Sequence, residues 1–176
     1  TIFPESRKVT VVASVYPLYY LATRIMGDRI DVRQLVPTGA QPHDWEPSAR
    51  EMQNVFDADL IMFNGAGLEP WLDQLLESLP PNGPRVQAVA QGMELGIVGK
   101  NKVGEQIGNG KGDPHVWLDP LRTKVLVDRI LAGIIGIDPS EEHGYRERAK
   151  LLIEELEDLH REFVDGISDC RLNRFV

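Results

Sequence analysis

Four short segments followed by turn residues limit most strongly what this chain can fold into. Residues 9–15 are rich in β-branched side chains and predict a buried strand, and residues 31–36, 60–63 and 85–88 predict three further strands. Helical patterns stand between these strands, and strands that alternate with helices at this spacing are joined by crossovers into a parallel sheet. The predicted fold class is therefore α/β, with a parallel four-stranded sheet flanked by helices.

Capping residues and prolines mark the ends of the predicted helices. Ser48 and Glu51 form a capping-box pattern, in which each side chain satisfies a backbone N–H of the first helical turn. Asp119 followed by Pro120 supplies an N-cap and a proline at the first helical position. The predicted helices span residues 18–26, 48–57, 69–79 and 119–135. A stretch rich in Gly, Lys and Asn, residues 96–112, is predicted to be a surface loop.

A longer helix is predicted after Asp138 and Pro139, ending near residue 164. Apolar side chains recur there at alternating steps of four and three, which gives one stripe along a helix: Tyr145, Ala149, Leu152, Leu156, Leu159 and Phe163. At about 1.5 Å per residue, a helix over residues 144–166 is roughly 35 Å long, enough to cross a small domain. Glu157 and Arg161 are spaced to form an ion pair on it.

The order of these elements predicts three parts. Residues 1–137 form an N-terminal α/β lobe, residues 138–168 a long connecting helix, and residues 169–176 the start of a further lobe, because residues 172–176 are typical of a strand. A strand without its partners exposes an edge. We therefore expect a second lobe that this sequence does not include.

Composition excludes several classes of protein. The 176 residues carry a net charge of −8, which argues against nucleic acid as a partner, because its binders usually carry a basic surface. No apolar run approaches the roughly 20 residues that span a bilayer. The single cysteine, Cys170, forms no internal disulfide. No targeting segment is visible at Thr1, and if the protein is exported we expect this segment to have been removed.

Two of the four histidines lie in loops that follow predicted strands. His43 follows the second strand and His115 the fourth. Ligands of parallel sheets bind at the carboxyl ends of the strands, and neutral imidazole is the commonest metal ligand in proteins. The two histidines can thus form half of a tetrahedral metal site. From spacing alone, a role as ordinary loop histidines bonded to backbone stays equally open.

The other polar candidates have simpler explanations. His143 and His160 lie on or near the long helix and are predicted to be solvated. Asp44 and Glu46 could orient an imidazole, but we expect them to be exposed, and Asp113 also flanks a histidine. Asp119 is predicted to cap a helix, and Glu69 to be a helix-start carboxylate rather than a binding-cleft group. The nucleotide-binding, nucleophile and zinc-protease motifs of enzymes are absent from the sequence.

Four segments together resemble a known family. They are Val12-Ala-Ser-Val-Tyr-Pro-Leu18, Val36-Pro-Thr-Gly-Ala-Gln-Pro-His43-Asp-Trp-Glu-Pro-Ser48, Asn64-Gly-Ala-Gly-Leu-Glu-Pro-Trp-Leu72 and Asp113-Pro-His115-Val-Trp-Leu-Asp-Pro120. In this order they are similar to motifs of the zinc/manganese solute-binding proteins of ABC importers, the cluster A-I or TroA-like family. That family has two α/β lobes joined by one long helix, and the stripe from Tyr145 to Phe163 falls where that helix belongs.

The resemblance implies a function. It implies an extracytoplasmic protein, periplasmic or on the outer face of the membrane, that captures a divalent metal and delivers it to an ABC importer permease without catalysing a reaction. The family binds metal with four ligands, two from each lobe; His43 and His115 match the first two, and the other two would lie beyond Val176. No organic cofactor is implied.

Several alternatives stay open. Residues 96–112 lack the histidines of many zinc-specific members, which leaves both zinc and manganese as the ligand, with iron less favoured. A metal-containing surface adhesin is the second reading, and a metallohydrolase the third; the latter needs an open coordination position and a general base. We also expect this 176-residue chain to bind metal weakly, and to self-associate through surface that a second lobe would cover.

Overall fold

The computed structural model describes residues 8–29, 31–95 and 112–170. Four strands form one sheet: β1 (Thr10–Ala13), β2 (Asp31–Gln34), β3 (Leu60–Phe63) and β4 (Arg85–Ala88). Five α-helices accompany them: α1 (Tyr16–Met26), α2 (Ala49–Phe56), α3 (Leu72–Ser78), α4 (Pro120–Ile137) and α5 (Glu142–Ile167). The predicted strand at residues 172–176 and most of the predicted loop at 96–112 lie outside the described residues.

The sheet is parallel throughout and has the order β2-β1-β3-β4. The predicted fold class is therefore confirmed. The central strands β1 and β3 are almost entirely buried, whereas the edge strands carry partly exposed side chains. The order changes direction between β1 and β3, which is the point where parallel sheets usually bind ligands.

Two helix starts form as their sequences predict. Ser48 and Glu51 make the reciprocal capping box at α2, in which the Ser48 side chain accepts from the Glu51 N–H and the Glu51 side chain accepts from the Ser48 N–H. The Asp119 side chain accepts from the backbone N–H groups of Leu121 and Arg122 at the start of α4. Both caps satisfy N–H groups that have no partner within the helix.

Helix α5 follows a short 3-10 turn at Pro139–Glu141 and packs against α1 and α4, with contacts that reach as far as Glu157. Tyr145, Ala149 and Leu152 of the predicted stripe are buried, but Leu159 and Phe163 are 42% and 57% exposed. From residue 161 to residue 170 every side chain is exposed. The amphipathic stripe is thus longer than the surface that covers it among the described residues.

Polar contacts hold α5 against α1. Arg148 donates from Nε to the carbonyl of Ile25 at 2.6 Å, where α1 ends. Arg24 of α1 pairs with Glu155 at 2.7 Å. The predicted direct salt bridge between Glu157 and Arg161 does not form, because each contacts a closer partner, although the pKa of Glu157 is lowered by Lys124 first and also by Arg161. Glu157 contacts Lys124 of α4, and Arg161 contacts Asp158.

No helix among the described residues combines the length and the apolar character needed to cross a bilayer.

Candidate metal centre

His43 lies in the loop between β2 and α2, on an exposed turn that begins at Pro42. The loop is held from one side by tryptophan side chains. The Nε1–H of Trp71, at the start of α3, donates to the carbonyl of Pro42 at 3.0 Å. Trp45 packs edge-on against Trp71, with ring centroids 5.1 Å apart. These contacts fix the backbone on both sides of His43 and leave its ring free to bind a ligand.

His115 lies between β4 and α4, immediately before a 3-10 turn at Val116–Leu118. Its ring is half-buried and meets the edge of Trp117 at a centroid distance of 5.2 Å. Nδ1 of His115 lies 2.6 Å from Oδ1 of Asp113, and the same oxygen accepts from the His115 backbone N–H at 3.0 Å. With Nδ1 engaged by a carboxylate, Nε2 is the nitrogen that can bind a metal.

The hydrogen bonds to His115 also affect Asp113. The backbone N–H and then the ring of His115 lower the pKa of the Asp113 carboxyl below its ordinary value. Asp113 is therefore ionised at neutral pH and can hold the His115 ring in one tautomer and one orientation.

The structure brings the two candidate histidines together. The rings of His43 and His115 have centroids 6.0 Å apart and an interplanar angle of 76°. They meet at the carboxyl end of the sheet, although their loops follow the two edge strands. A zinc ion with nitrogen ligands at about 2.0–2.1 Å can be shared by two rings at this separation. A cleft of about 310 Å³, lined by His115, Trp117 and the loop from Gln34 to Pro42, opens beside them.

The described residues contain no group of three or more histidine, cysteine, aspartate or glutamate side chains arranged to hold a metal ion. Within them, the two imidazoles are a two-ligand arrangement. His143 does not take part in this arrangement. It is highly exposed and its Nε2 lies 3.3 Å from Glu147, one turn along α5. His160 lies in the second half of the same helix and is partly exposed, and Cys170 is exposed.

The flanking carboxylates differ from one another. In the part of the chain that the structure describes, Asp44 and Glu46 are exposed and their carboxylates make no hydrogen bond or ion pair. Asp119 caps α4 as predicted. Asp113, which the sequence marked only as a neighbour of a histidine, is the carboxylate that orients one. Its position two residues before His115 was the available signal, since this spacing allows a side-chain bond back to the chain.

Glu69 differs from its predicted role at a helix start. Its side chain is buried and accepts three hydrogen bonds, from the Ser14 hydroxyl at 2.6 Å and from the backbone N–H groups of Asn64 and Gly65, each at 2.9 Å. Burial raises the pKa of this carboxyl, and the three donors oppose that rise. Glu69 therefore organises the loop between β3 and α3 and neither caps α3 nor lies in a cleft.

Comparison with known proteins places this architecture in a family. Residues 11–176 match the model of the family described as zinc-uptake complex component A periplasmic, ZnuA. The high-affinity zinc uptake system protein ZnuA of Bacillus subtilis is 32% identical over 175 residues, which are 96% of this chain and 54% of that protein. The zinc-binding lipoprotein AdcA of Streptococcus pneumoniae is 29% identical over 174 residues, 96% of this chain and 35% of that protein.

A solved structure agrees with the sequence matches. The Zn(II)-bound ZnuA-like domain of Streptococcus pneumoniae AdcA superposes with a TM-score of 0.80 at 28% identity, and the match covers 93% of this chain and 57% of that one. The chain spans roughly a third of AdcA, and a little over half of Bacillus subtilis ZnuA and of the ZnuA-like domain of AdcA. The resemblance to metal solute-binding proteins of ABC importers is thereby confirmed.

Proposed function

This chain belongs to the ZnuA family of periplasmic zinc-uptake component A proteins, and on that premise we propose that it captures zinc outside the cytoplasm for an ABC-type importer. His43 and His115 are the proposed metal ligands. The observation that carries the proposal is the approach of their two rings, 6.0 Å between centroids, from loops that are far apart in sequence. The orientation of His115 by Asp113 supports it.

Zinc is the metal that these ligands favour. Imidazole nitrogens suit zinc, and a given nitrogen or oxygen site generally binds zinc more tightly than manganese. Relatives named for zinc binding or zinc uptake support the same choice. Manganese is the second candidate, as a weaker ligand of the same site.

The proposed function is metal binding without catalysis of a reaction. The family consists of metal-binding transport proteins, and Asp44 and Glu46, the carboxylates nearest to His43 in sequence, are solvated groups. A metallohydrolase needs a general base directed at a metal-bound water. Hydrolysis of an ester or peptide by the zinc-loaded chain that is lost with His43→Ala would overturn this part of the proposal.

We further propose that residues 1–137 are the metal-binding lobe and residues 138–168 the connecting helix, with residues 169–176 leading into a second lobe. The observed helix α5 (Glu142–Ile167) lies within the proposed connecting segment. Its exposed Leu159 and Phe163 give this chain an apolar surface for self-association. Light scattering tests this: association that grows with concentration and is lost with Phe163→Glu supports it, and a monomer at all concentrations contradicts it.

Calorimetric titration of the chain with zinc and with manganese tests the proposed function. We expect one zinc ion per chain, bound with micromolar or weaker affinity because two imidazoles leave the remaining coordination positions to water, and weaker binding of manganese. Absence of zinc binding, or tighter binding of manganese, would overturn the proposal. Sub-micromolar zinc affinity would contradict the two-ligand account, unless light scattering showed that two chains share the ion.

A further inference from the structure

The loop between β3 and α3, residues 64–71, contacts the segment that carries His115. Asn64 follows β3 directly and is fully buried. Its Nδ2 group donates to the carbonyl of Pro114 at 3.0 Å, and also to the carbonyl of Gly65. Pro114 is the residue immediately before His115, so this bond fixes the peptide group that joins Pro114 to His115.

The same loop contacts the segment that carries His43 in the same manner. Trp71, at the other end of the loop, is 6% exposed, and its Nε1–H donates to the carbonyl of Pro42 at 3.0 Å. Pro42 is the residue immediately before His43. One short loop therefore donates a side-chain hydrogen bond to the carbonyl that precedes each candidate ligand, and each of these carbonyls belongs to a proline, whose φ is fixed.

The loop is itself fixed to the centre of the sheet. The buried carboxylate of Glu69 accepts from the backbone N–H groups of Asn64 and Gly65 and from the hydroxyl of Ser14, the residue after β1. Hydrogen bonds to a carboxylate are stronger than those between neutral groups. Glu69 thus anchors the loop that carries both donors to the ends of β1 and β3, the most buried strands.

We propose that Asn64 and Trp71 are positioning residues that set the separation of His43 and His115, and with it the affinity of the pair for zinc. Neither side chain touches the metal; each acts through the backbone of one histidine segment. The inference rests on the proposed function, since it takes the two histidines as ligands. It assigns a role to the Asn64–Leu72 segment, which the metal site itself leaves unexplained.

The physical basis is the chelate effect of two ligands held at one distance. A second imidazole adds more affinity when its position is fixed before the ion binds, because otherwise binding must also order a loop. Loss of groups that orient metal ligands typically weakens metal affinity by about 10–100-fold. We expect losses in this range from Trp71→Phe, which keeps the ring contacts with Trp45 and Phe63 but lacks the donor, and from Asn64→Ala.

The experiment is a zinc titration of the full 176-residue chain followed by nuclear magnetic resonance of the histidine ring protons. The chain has four histidines, so the rings of His143 and His160 report non-specific binding within the same sample. In the unsubstituted chain we expect the ring-proton signals of His43 and His115 to shift on zinc addition with one shared dissociation constant. In each variant we expect weaker zinc binding that approaches the affinity of His43→Ala. The ring-proton signals of His43 and His115 should then shift with two different dissociation constants.

A matched control separates positioning from stability. Ile134 is fully buried in the last turn of α4, and helices of a parallel sheet end at the opposite edge from the strand carboxyl ends. Ile134→Ala should lower the free energy of unfolding without changing zinc affinity. Circular dichroism and urea denaturation of every metal-free variant establish that each is folded at the titration temperature.

The outcomes are distinct. The inference is supported if Trp71→Phe and Asn64→Ala bind zinc more weakly and their two histidine rings shift with different constants. It also requires that Ile134→Ala keeps the zinc affinity of the unsubstituted chain. A shared constant equal to that of the unsubstituted chain in both variants overturns it, as does equal weakening by Ile134→Ala. If the unsubstituted chain shows no joint response of His43 and His115, the proposed function itself fails.

Discussion

Oδ1 of Asp113 lies 2.6 Å from Nδ1 of His115 and 3.0 Å from the backbone nitrogen of the same residue. One carboxylate oxygen therefore fixes both the ring and the peptide group of a candidate metal ligand. An imidazole has two nitrogens, and a carboxylate on one of them raises the basicity of the other towards a metal. His43 has no such partner among the described residues, so the two ligands are not equivalent.

Asp113→Ala should weaken zinc binding by roughly 10-fold or more, because the His115 ring loses its fixed orientation and its negatively charged partner. Titration calorimetry measures the effect. Asp44→Ala is the matched control, since Asp44 flanks His43 but its carboxylate makes no bond within the described chain. Equal weakening by both substitutions would mean that overall negative charge, rather than the bond to His115, governs affinity.

The two halves of α5 should differ in their contribution to stability. Leu152 is 3% exposed, whereas Leu159, on the same stripe, is 42% exposed. Leu152→Ala removes a buried side chain and should lower the free energy of unfolding by about 2–5 kcal/mol. Leu159→Ala should cost about 1 kcal/mol or less. Urea denaturation of the dilute monomer measures both, and similar losses would show that the second half of α5 is covered in solution.

The buried carboxylate of Glu69 should make stability depend on pH. Burial raises its pKa above the ordinary 4.5, so above about that pH the unfolded chain loses this proton before the folded chain does. The unfolded state then binds fewer protons, and stability falls as pH rises until the pKa of the folded chain is passed. The difference in unfolding free energy between the unsubstituted chain and Glu69→Gln should therefore decrease with rising pH.

Glu155 supplies a control of opposite sign. The hydrogen bond from Arg24 lowers the pKa of Glu155 below its ordinary 4.5, so its contribution to stability is present above that pH and is lost as pH falls through the pKa of the folded chain. The difference in unfolding free energy between the unsubstituted chain and Glu155→Gln should increase with rising pH. Chemical denaturation of the metal-free chain at a series of acidic pH values compares the two, and slopes of the same sign would contradict this account.

Local sequence signals predicted much of the fold and part of the site. The capping box of Ser48 and Glu51 and the cap at Asp119 involve residues within four positions of each other, so their geometry is readable from spacing. The parallel sheet follows from the alternation of elements. That alternation also placed His43 and His115 at one edge of the sheet, where the structure brings their rings together.

The contacts that spacing did not predict are long-range. Glu157 was expected to pair along α5 but reaches Lys124 on α4, because packing of the two helices brings a closer cation. Glu69 was expected at a helix start but turns inward to Ser14, 55 residues away in sequence. Likewise, the bonds from Asn64 and Trp71 to the histidine segments exist only once the sheet has formed.

Zinc binding by four single histidine variants tests the central claim most directly. Calorimetry should show that His43→Ala and His115→Ala each weaken zinc binding to the level of one imidazole, by about 10-fold or more. His143→Ala and His160→Ala, on α5, should bind zinc as the unsubstituted chain does. Zinc affinity that survives both His43→Ala and His115→Ala, or that falls with His143→Ala or His160→Ala instead, would contradict the assignment of the metal centre.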